Sequence, residues 1–361
     1  MGEVPIGPHN DITDVAGVTV GHVSLIWGEG PLVPGRGPVR TGITAIKPSQ
    51  RNLYREPCRA GLFILNGYGK SLGTPFIREL GILNCPVLLT NTLSVPAAAE
   101  GLLTYILQQN PEIGNDARTA NLVVFECDDS YLNDMRGRHV RPSDAVIALQ
   151  RAGGGPIAQG NIGAGVGMSC FQLKGGIGSS SRLIELEPGR RYTLGILVLA
   201  NFGLLRDLHI SGVPVGRFLL RYIPGLIPES LAGTSLIIVG ITDAPLTVPQ
   251  LERLARRSAL GQARTGSISM TGSGDFCLMI STAPLTHGES VADWAMDDFY
   301  RAVSEATAEA IWNALFLAET MIGRDDRVRY ALPIAETLEI MSGWRGGLPK
   351  NREMPGRQPA P

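Results

Sequence analysis

Short apolar runs bounded by Gly, Pro or Asn recur along the chain, at residues 41–46, 62–65, 87–90, 122–125, 194–199, 236–241 and 278–281. Each is brief and rich in β-branched or leucine side chains, the pattern of a buried strand. Between them the period changes. Residues 97–108 place apolar side chains at 102, 103, 106 and 107, the spacing of one helix face. A second helix is predicted over 143–151, opened by Pro142, Ser143 and Asp144, and a third over 248–262, after Asp243, Ala244 and Pro245. The third carries Arg253, Arg256 and Arg257, and residues 290–322 are long enough for two helices or one bent one. Strands mixed irregularly with helices predict a layered α/β or α+β architecture rather than a repeat protein.

No shift in composition divides the chain, so residues 1–345 read as one domain and 346–361, rich in Gly, Pro and Arg without periodicity, as a loose tail. The nearest thing to a linker is 225–234, which ends against a strongly apolar strand. With 361 residues and 44% hydrophobic content the chain can bury a large core. Its 32 basic and 33 acidic residues leave a net charge of −1, which gives no electrostatic footprint for nucleic acid or an anionic membrane. No apolar run reaches the roughly 18 residues of a membrane span. Residues 1–8 lack the basic-then-apolar pattern of a signal peptide, so the expected location is the cytoplasm. Five scattered cysteines without a C-x-x-C pair argue against a zinc site or a disulfide framework and for a reducing compartment.

Several familiar chemistries fail on spacing. Gly67-Tyr68-Gly69-Lys70-Ser71 ends like a phosphate loop, but Ile64 stands where its first glycine belongs. The glycines between Gly160 and Gly167 miss the G-x-G-x-x-G spacing, and no helix pattern follows them. Ser273 has Thr271 in place of the first glycine of a nucleophile elbow. None of the five histidines shows metal-ligand spacing. A hydrolase built from this chain therefore needs another general base.

Ser235 offers one. It stands at the entrance of the apolar run 236–241, directly after the Pro/Gly-rich segment. Breaking the Thr234–Ser235 bond would give it a free α-amine, whose unperturbed pKa of roughly 7.7–8.0 suits a general base. One residue would then supply both nucleophile and base. A small polar residue opening a core strand fits the same local sequence.

The surrounding segments decide more. Asn10-Asp11-Ile12-Thr13-Asp14, Val20-Gly21-His22, Pro38-Val39-Arg40-Thr41-Gly42, Leu65-Asn66-Gly67 and Pro86-Val87-Leu88-Leu89-Thr90-Asn91 are followed by Tyr131-Leu132-Asn133-Asp134, Gly160-Asn161-Ile162-Gly163, Ala200-Asn201-Phe202-Gly203, Gly212-Val213-Pro214 and Thr242-Asp243-Ala244-Pro245-Leu246. In this order they resemble the L-aminopeptidase/D-Ala-esterase/amidase family, which includes the β-peptidyl aminopeptidases, up to about residue 340. The resemblance implies a four-layer α-β-β-α sandwich, similar to the Ntn hydrolases in architecture but with different strand connectivity. It implies self-cleavage into 1–234 and 235–361, a homotetramer of processed protomers, and no metal or other cofactor. The substrates it implies are small peptides or amino-acid amides and esters with small L-, D- or β-amino acids at the N-terminus.

By position, the resemblance makes Ser235 the nucleophile, Ser273 and Asp275 the groups that polarise its amine and hydroxyl, Asn201 the oxyanion donor, and Tyr131 a neighbour of the scissile carbonyl. Glu126 and Asp129, the acids beside Tyr131, are candidates to hold the substrate's ammonium. The chain departs from the family at Thr234, where Gly or Asn is usual, and at Asp275, where Glu is frequent. Two alternatives stay open: an acyl transferase similar to the ornithine acetyltransferases, with Thr234 as nucleophile, and an uncleaved homologue that only binds.

Overall fold

The computed structural model describes residues 2–116, 119–223, 234–285 and 290–344. The tail expected over 346–361 and all of the 225–234 linker except Thr234 lie outside them. Two sheets form the centre. One runs β1 (Thr19–Trp27), β2 (Val39–Lys47), β5 (Val87–Asn91), β6 (Val123–Cys127), antiparallel except for the last pair. The other runs β4 (Ile82–Leu83), β3 (Cys58–Gly67), β12 (Gly274–Ser281), β11 (Thr234–Thr242), β10 (Arg190–Phe202), β9 (Gly176–Glu187), and only β11 and β12 are parallel. Two short hairpins, β7 (Ser169–Cys170) with β8 (Leu173–Lys174) and β13 (Met321–Ile322) with β14 (Val328–Arg329), flank one end.

Side chains of the central strands alternate between two cores, as a sheet covered on both faces requires. Ile237, Val239 and Ile241 share a core with Leu197, Leu199, Phe276 and Leu278, with the first sheet, and with α2 (Val95–Gln109) and α3 (Pro142–Gln150) beyond it. Leu236, Ile238, Val198, Cys277 and Met279 face the opposite way, onto α5 (Val248–Arg264) and α6 (Met296–Phe316). Helix pair, sheet, sheet, helix pair: the α-β-β-α order is the one the resemblance implies. Short helices α1 (Thr74–Leu80), α4 (Val215–Leu219) and α7 (Ile334–Gly343) complete the chain. Among the described residues no helix is long and apolar enough to cross a membrane, and all five cysteines are buried free thiols.

One expectation is corrected. The stretch 290–322 is neither two helices nor a bent one. A single 21-residue α6 ends at Phe316, and Ile322 already lies in a hairpin. The helix expected after Asp243, Ala244 and Pro245 forms as α5, capped by Thr247 in a reciprocal box with Gln250, and Asp243 accepts the Thr193 amide (2.8 Å). The glycines around 163–167 and 175–178 mostly serve internal packing. A Cβ at Gly178 would overlap the Ala310 carbonyl, and Ser180 Oγ donates to the Ala306 carbonyl (2.6 Å), so α6 lies close on β9.

One internal group ties the fold to pH. His22 on β1 shares a hydrogen bond with Thr44 Oγ1 (3.0 Å), and its buried Nε2 has no partner among the described residues. Burial pushes the imidazole down to about 4. In the unfolded chain it titrates at about 6.5, so its stability contribution is complete above that value and is lost as pH falls towards 4. We expect about 1–3 kcal/mol to disappear in that window, discounted for the ring's partial exposure. Urea midpoints at pH 7 and pH 4.5 should converge in His22→Gln relative to the parent; equal pH dependence in both would refute this.

Candidate active site

Ser235 is the second residue of β11 and is 6% exposed. It pairs with Asn201 of β10 on one side and Gly274 of β12 on the other. By the alternation of β11 it lies on the face of Ile237 and Val239, towards the first sheet, and Asn201 shares that face with Leu197 and Leu199. Directly opposed residues of an antiparallel pair hold their Cβ atoms about 4.5–5.5 Å apart, within side-chain reach. Among the described residues the Ser235 hydroxyl has no hydrogen-bond partner.

The Asn201 side chain is fixed at both ends. Its Oδ1 accepts the Ser169 amide (2.8 Å), and its Nδ2 donates to the Asp128 carbonyl (2.9 Å). A primary amide has two N–H bonds, so this leaves one on the Asn201 nitrogen for a ligand. Ser169 and Asp128 belong to different segments, and Arg329 of β14 joins them. Its Nε donates to Ser169 Oγ (2.6 Å), and its guanidinium sits 3.4 Å from the ring centroid of Tyr131, three residues after Asp128. Arg329 is 1% exposed; burial pulls its guanidinium down to about 10, with Tyr131 acting in the opposite direction.

On the other side of Ser235, the loop after β3 crosses Gly274. A Cβ on Gly274 would stand 2.6 Å from the Gly69 Cα, and one on Gly69, which lies beside Glu126, would stand 2.7 Å from Phe276 Cε2. Both positions therefore need glycine for the loop to close over β12. Glu126 is 3% exposed; its Oε1 accepts the Lys70 amide (2.7 Å) and its Oε2 accepts Thr92 Oγ1. Ser273 and Asp275 form a buried pair, with Ser273 Oγ donating to Asp275 Oδ1 (2.7 Å). Burial raises the Asp275 carboxyl above the ordinary range, moderated by Ser273, Gln262, Ser269 and the Leu236 amide. Its Oδ2 closes no hydrogen bond of good geometry. Asp275 lies on the helix-facing side of β12, beside a small cavity lined by Thr234, Phe202, Leu204, Met270 and Ser273.

The structure thus brings Asn201, Tyr131, Ser273, Asp275 and Glu126 around the start of β11, but with the backbone continuous at Thr234 no hydrogen bond joins Ser235 to Asp275. It takes Asp129 out of a substrate's reach. That carboxylate is fully buried, with Thr41 Oγ1 (2.5 Å) and Asn133 Nδ2 (2.9 Å) donating to its two oxygens, and burial lifts it to about 7. Asp129 organises the Thr41–Asn91 corner, where Asn91 Nδ2 donates to Thr41 (2.7 Å). Sequence reading missed Arg329, Ser169 and Lys174. Lys174 is fully buried and donates to the carbonyls of Gly165, Met168 and Gly175, bracing the hairpin that carries Ser169. A buried cation has no signature in composition, and Asp325-Asp326-Arg327-Val328-Arg329 reads as a solvated charge run.

Known proteins are similar to this chain in sequence and fold. The model of "Peptidase family S58" matches residues 10–329. The β-peptidyl aminopeptidase BapA of Sphingosinicella microcystinivorans is 39% identical over 94% of this chain and 89% of its own. Among solved structures, the PH0078 protein of Pyrococcus horikoshii OT3 superposes with a TM-score of 0.90 at 49% identity, covering 95% of this chain and 96% of its own. The L-aminopeptidase D-Ala-esterase/amidase of Ochrobactrum anthropi, described as a prototype serine aminopeptidase and a new variant among the Ntn hydrolase fold, has a TM-score of 0.87 at 35% identity over 95% and 96% of the two chains. The chain belongs to peptidase family S58 and is a peptide hydrolase of that aminopeptidase/amidase family.

Proposed function

We propose that the chain cuts itself between Thr234 and Ser235 and then works as an N-terminal-nucleophile aminopeptidase through an acyl-enzyme on Ser235. The observation that carries this reading is the position of Ser235: a buried hydroxyl at the first turn-in of β11, paired with Asn201 and Gly274 and next to the Ser273–Asp275 pair.

In the first step Ser235 Oγ attacks the Thr234 carbonyl carbon. The hydroxyl proton passes to the departing Ser235 nitrogen, and an ester replaces the amide. Water then cleaves the ester, leaving a carboxylate on Thr234 and a free amine on Ser235. Release of the backbone frees rotation at the new terminus, which lets the amine turn towards Asp275. The raised carboxyl and its Ser273 partner there set the proton balance of the amine. In turnover the neutral amine takes the Ser235 hydroxyl proton as Oγ attacks the substrate carbonyl, then returns it to the leaving amine. The free N–H of Asn201 stabilises the oxyanion, an effect worth about 10²–10³ in rate where such a donor has been removed elsewhere. Tyr131 packs beside this point, and Glu126, near the end of β6 beside Gly69, provides the carboxylate for the substrate's ammonium by exchanging its Lys70 or Thr92 hydrogen bond for one to the ligand.

One relative is named a β-peptidyl aminopeptidase and another an L-aminopeptidase D-Ala-esterase/amidase, which supports small N-terminal residues, as amide or ester, as substrates of this chain. A homotetramer of processed protomers in the cytoplasm completes the proposal. A serine-directed sulfonyl fluoride, followed by peptide mapping, tests the nucleophile. One adduct on the fragment beginning at Ser235 is expected; an adduct on Thr234 or Ser273 would overturn the assignment, and one on Thr234 would favour the acyltransferase alternative.

A further inference from the structure

The two groups that hold the Asn201 amide come from segments far apart in sequence, the β7–β8 hairpin and the loop after β6. Ser169 opens a strand of only two residues and Asp128 follows the last residue of β6, so neither segment sets the separation of the two contacts by itself. We propose that Arg329 is the positioning residue that locks Asn201, by holding Ser169 and the Asp128–Tyr131 loop at a fixed separation. The inference rests on the oxyanion role given to Asn201 above.

The geometry is specific to arginine. One nitrogen, Nε, donates to Ser169 Oγ, and the planar guanidinium covers the Tyr131 ring at 3.4 Å. A lysine ammonium is a point charge on a flexible stem and cannot serve both contacts with a flat face and a lateral N–H. The Ser169 side chain is the handle and its backbone amide the contact to Asn201 Oδ1, so a pull on Ser169 Oγ shifts the amide that orients Asn201. On the other side, displacement of Tyr131 carries the Asp128 carbonyl that accepts from Asn201 Nδ2. Arg327, 5.4 Å from the Tyr131 ring, adds a second cation over the same ring but makes no contact with Ser169. Arg329 is thus the residue common to both arms. It touches neither Ser235 nor the substrate carbonyl in this account, and its effect passes entirely through Asn201.

A double-mutant cycle tests the proposal, with β-alanyl-p-nitroanilide as the probe and kcat counted per chain cleaved at Thr234–Ser235. Where a variant stays uncut, the half-life of its precursor is the readout throughout the cycle. Arg329→Lys and Ser169→Ala should each lower kcat about tenfold or more, the scale of a misplaced catalytic group, with KM held within about twofold. Asn201→Ala should lower it further, by about 10²–10³. The deciding result is non-additivity: in the Asn201→Ala background, Arg329→Lys and Ser169→Ala should cost almost nothing more. Equal penalties in both backgrounds would make Arg329 a purely structural residue and overturn the proposal, as would full kcat in either Arg329→Lys or Ser169→Ala. An Asn201→Ala enzyme with parental kcat would instead remove the oxyanion role itself, a failure recognisable before the cycle is completed.

Discussion

Ser235→Ala should be inactive while remaining folded. Loss of a catalytic serine elsewhere has cost on the order of 10⁶ in kcat, because nucleophile and base act as one unit. Here the two are the same residue, so the substitution removes the nucleophile and also prevents the cut that would create the base. Stability should change by no more than about 1 kcal/mol, since the hydroxyl has no hydrogen-bond partner among the described residues and alanine fits a strand entrance already flanked by Gly274. Thr234→Ala should keep activity, as Thr234 needs only to present a carbonyl. Hydrolysis measured beside a urea melt separates loss of chemistry from loss of fold. Activity in Ser235→Ala above a thousandth of the parental rate would contradict the assignment.

The largest expected effect on stability lies away from the site. Arg182 of β9 is 1% exposed and faces two buried carboxylates of α6, with Nη2 donating to Glu309 Oε2 (2.5 Å) and Nε to Glu305 Oε2 (3.5 Å). The same carboxylates bind the N-terminal segment: the amides of Glu3 and Val4 donate to Glu305 (3.1 Å each), and Asn10 Nδ2 donates to Glu309 (2.8 Å). Arg182→Met leaves two buried carboxylates one turn apart without their cation. Breaking a buried pair from one side costs about 3–5 kcal/mol, more than the intact pair contributes, because the remaining charge stays desolvated. A fall of that size in the urea-derived stability is expected, with kcat per folded chain unchanged. A fall below about 1 kcal/mol would show that the carboxylates are solvated in the absence of Arg182.

These two residues also mark what could be read from the sequence. Apolar runs identified β2, β3, β5, β6, β10, β11 and β12, because those strands are covered on both faces over most of their length and need hydrophobic side chains there. They did not identify β9, whose Gly176-Ile177-Gly178-Ser179-Ser180-Ser181 start looks like a loop. It is a strand because α6 lies so close that only Gly and Ser fit beneath it, and that constraint comes from a helix more than a hundred residues away. Ser235, Asn201, Ser273 and Asp275 were singled out through family resemblance. Pattern alone left Ser235 as an ordinary strand opener. Arg182, Lys174 and Arg329 escaped altogether, since a buried ion pair and a solvated charge look the same in one dimension. Asp129 shows the reverse error: an acid beside a site residue suggested substrate contact, and the Thr41 and Asn133 hydrogen bonds reserve it for the scaffold.

The central claim is that one peptide bond of this chain is cut by the residue that follows it. The intact mass of the purified protein, measured beside Ser235→Ala, tests that claim most directly. The account predicts two species in the parent, residues 1–234 and residues 235–361, with the second beginning at Ser235, and a single full-length chain in the variant. A parent that stays full length after prolonged incubation yet hydrolyses β-alanyl-p-nitroanilide, or a Ser235→Ala chain that is cut at the same bond, would contradict it.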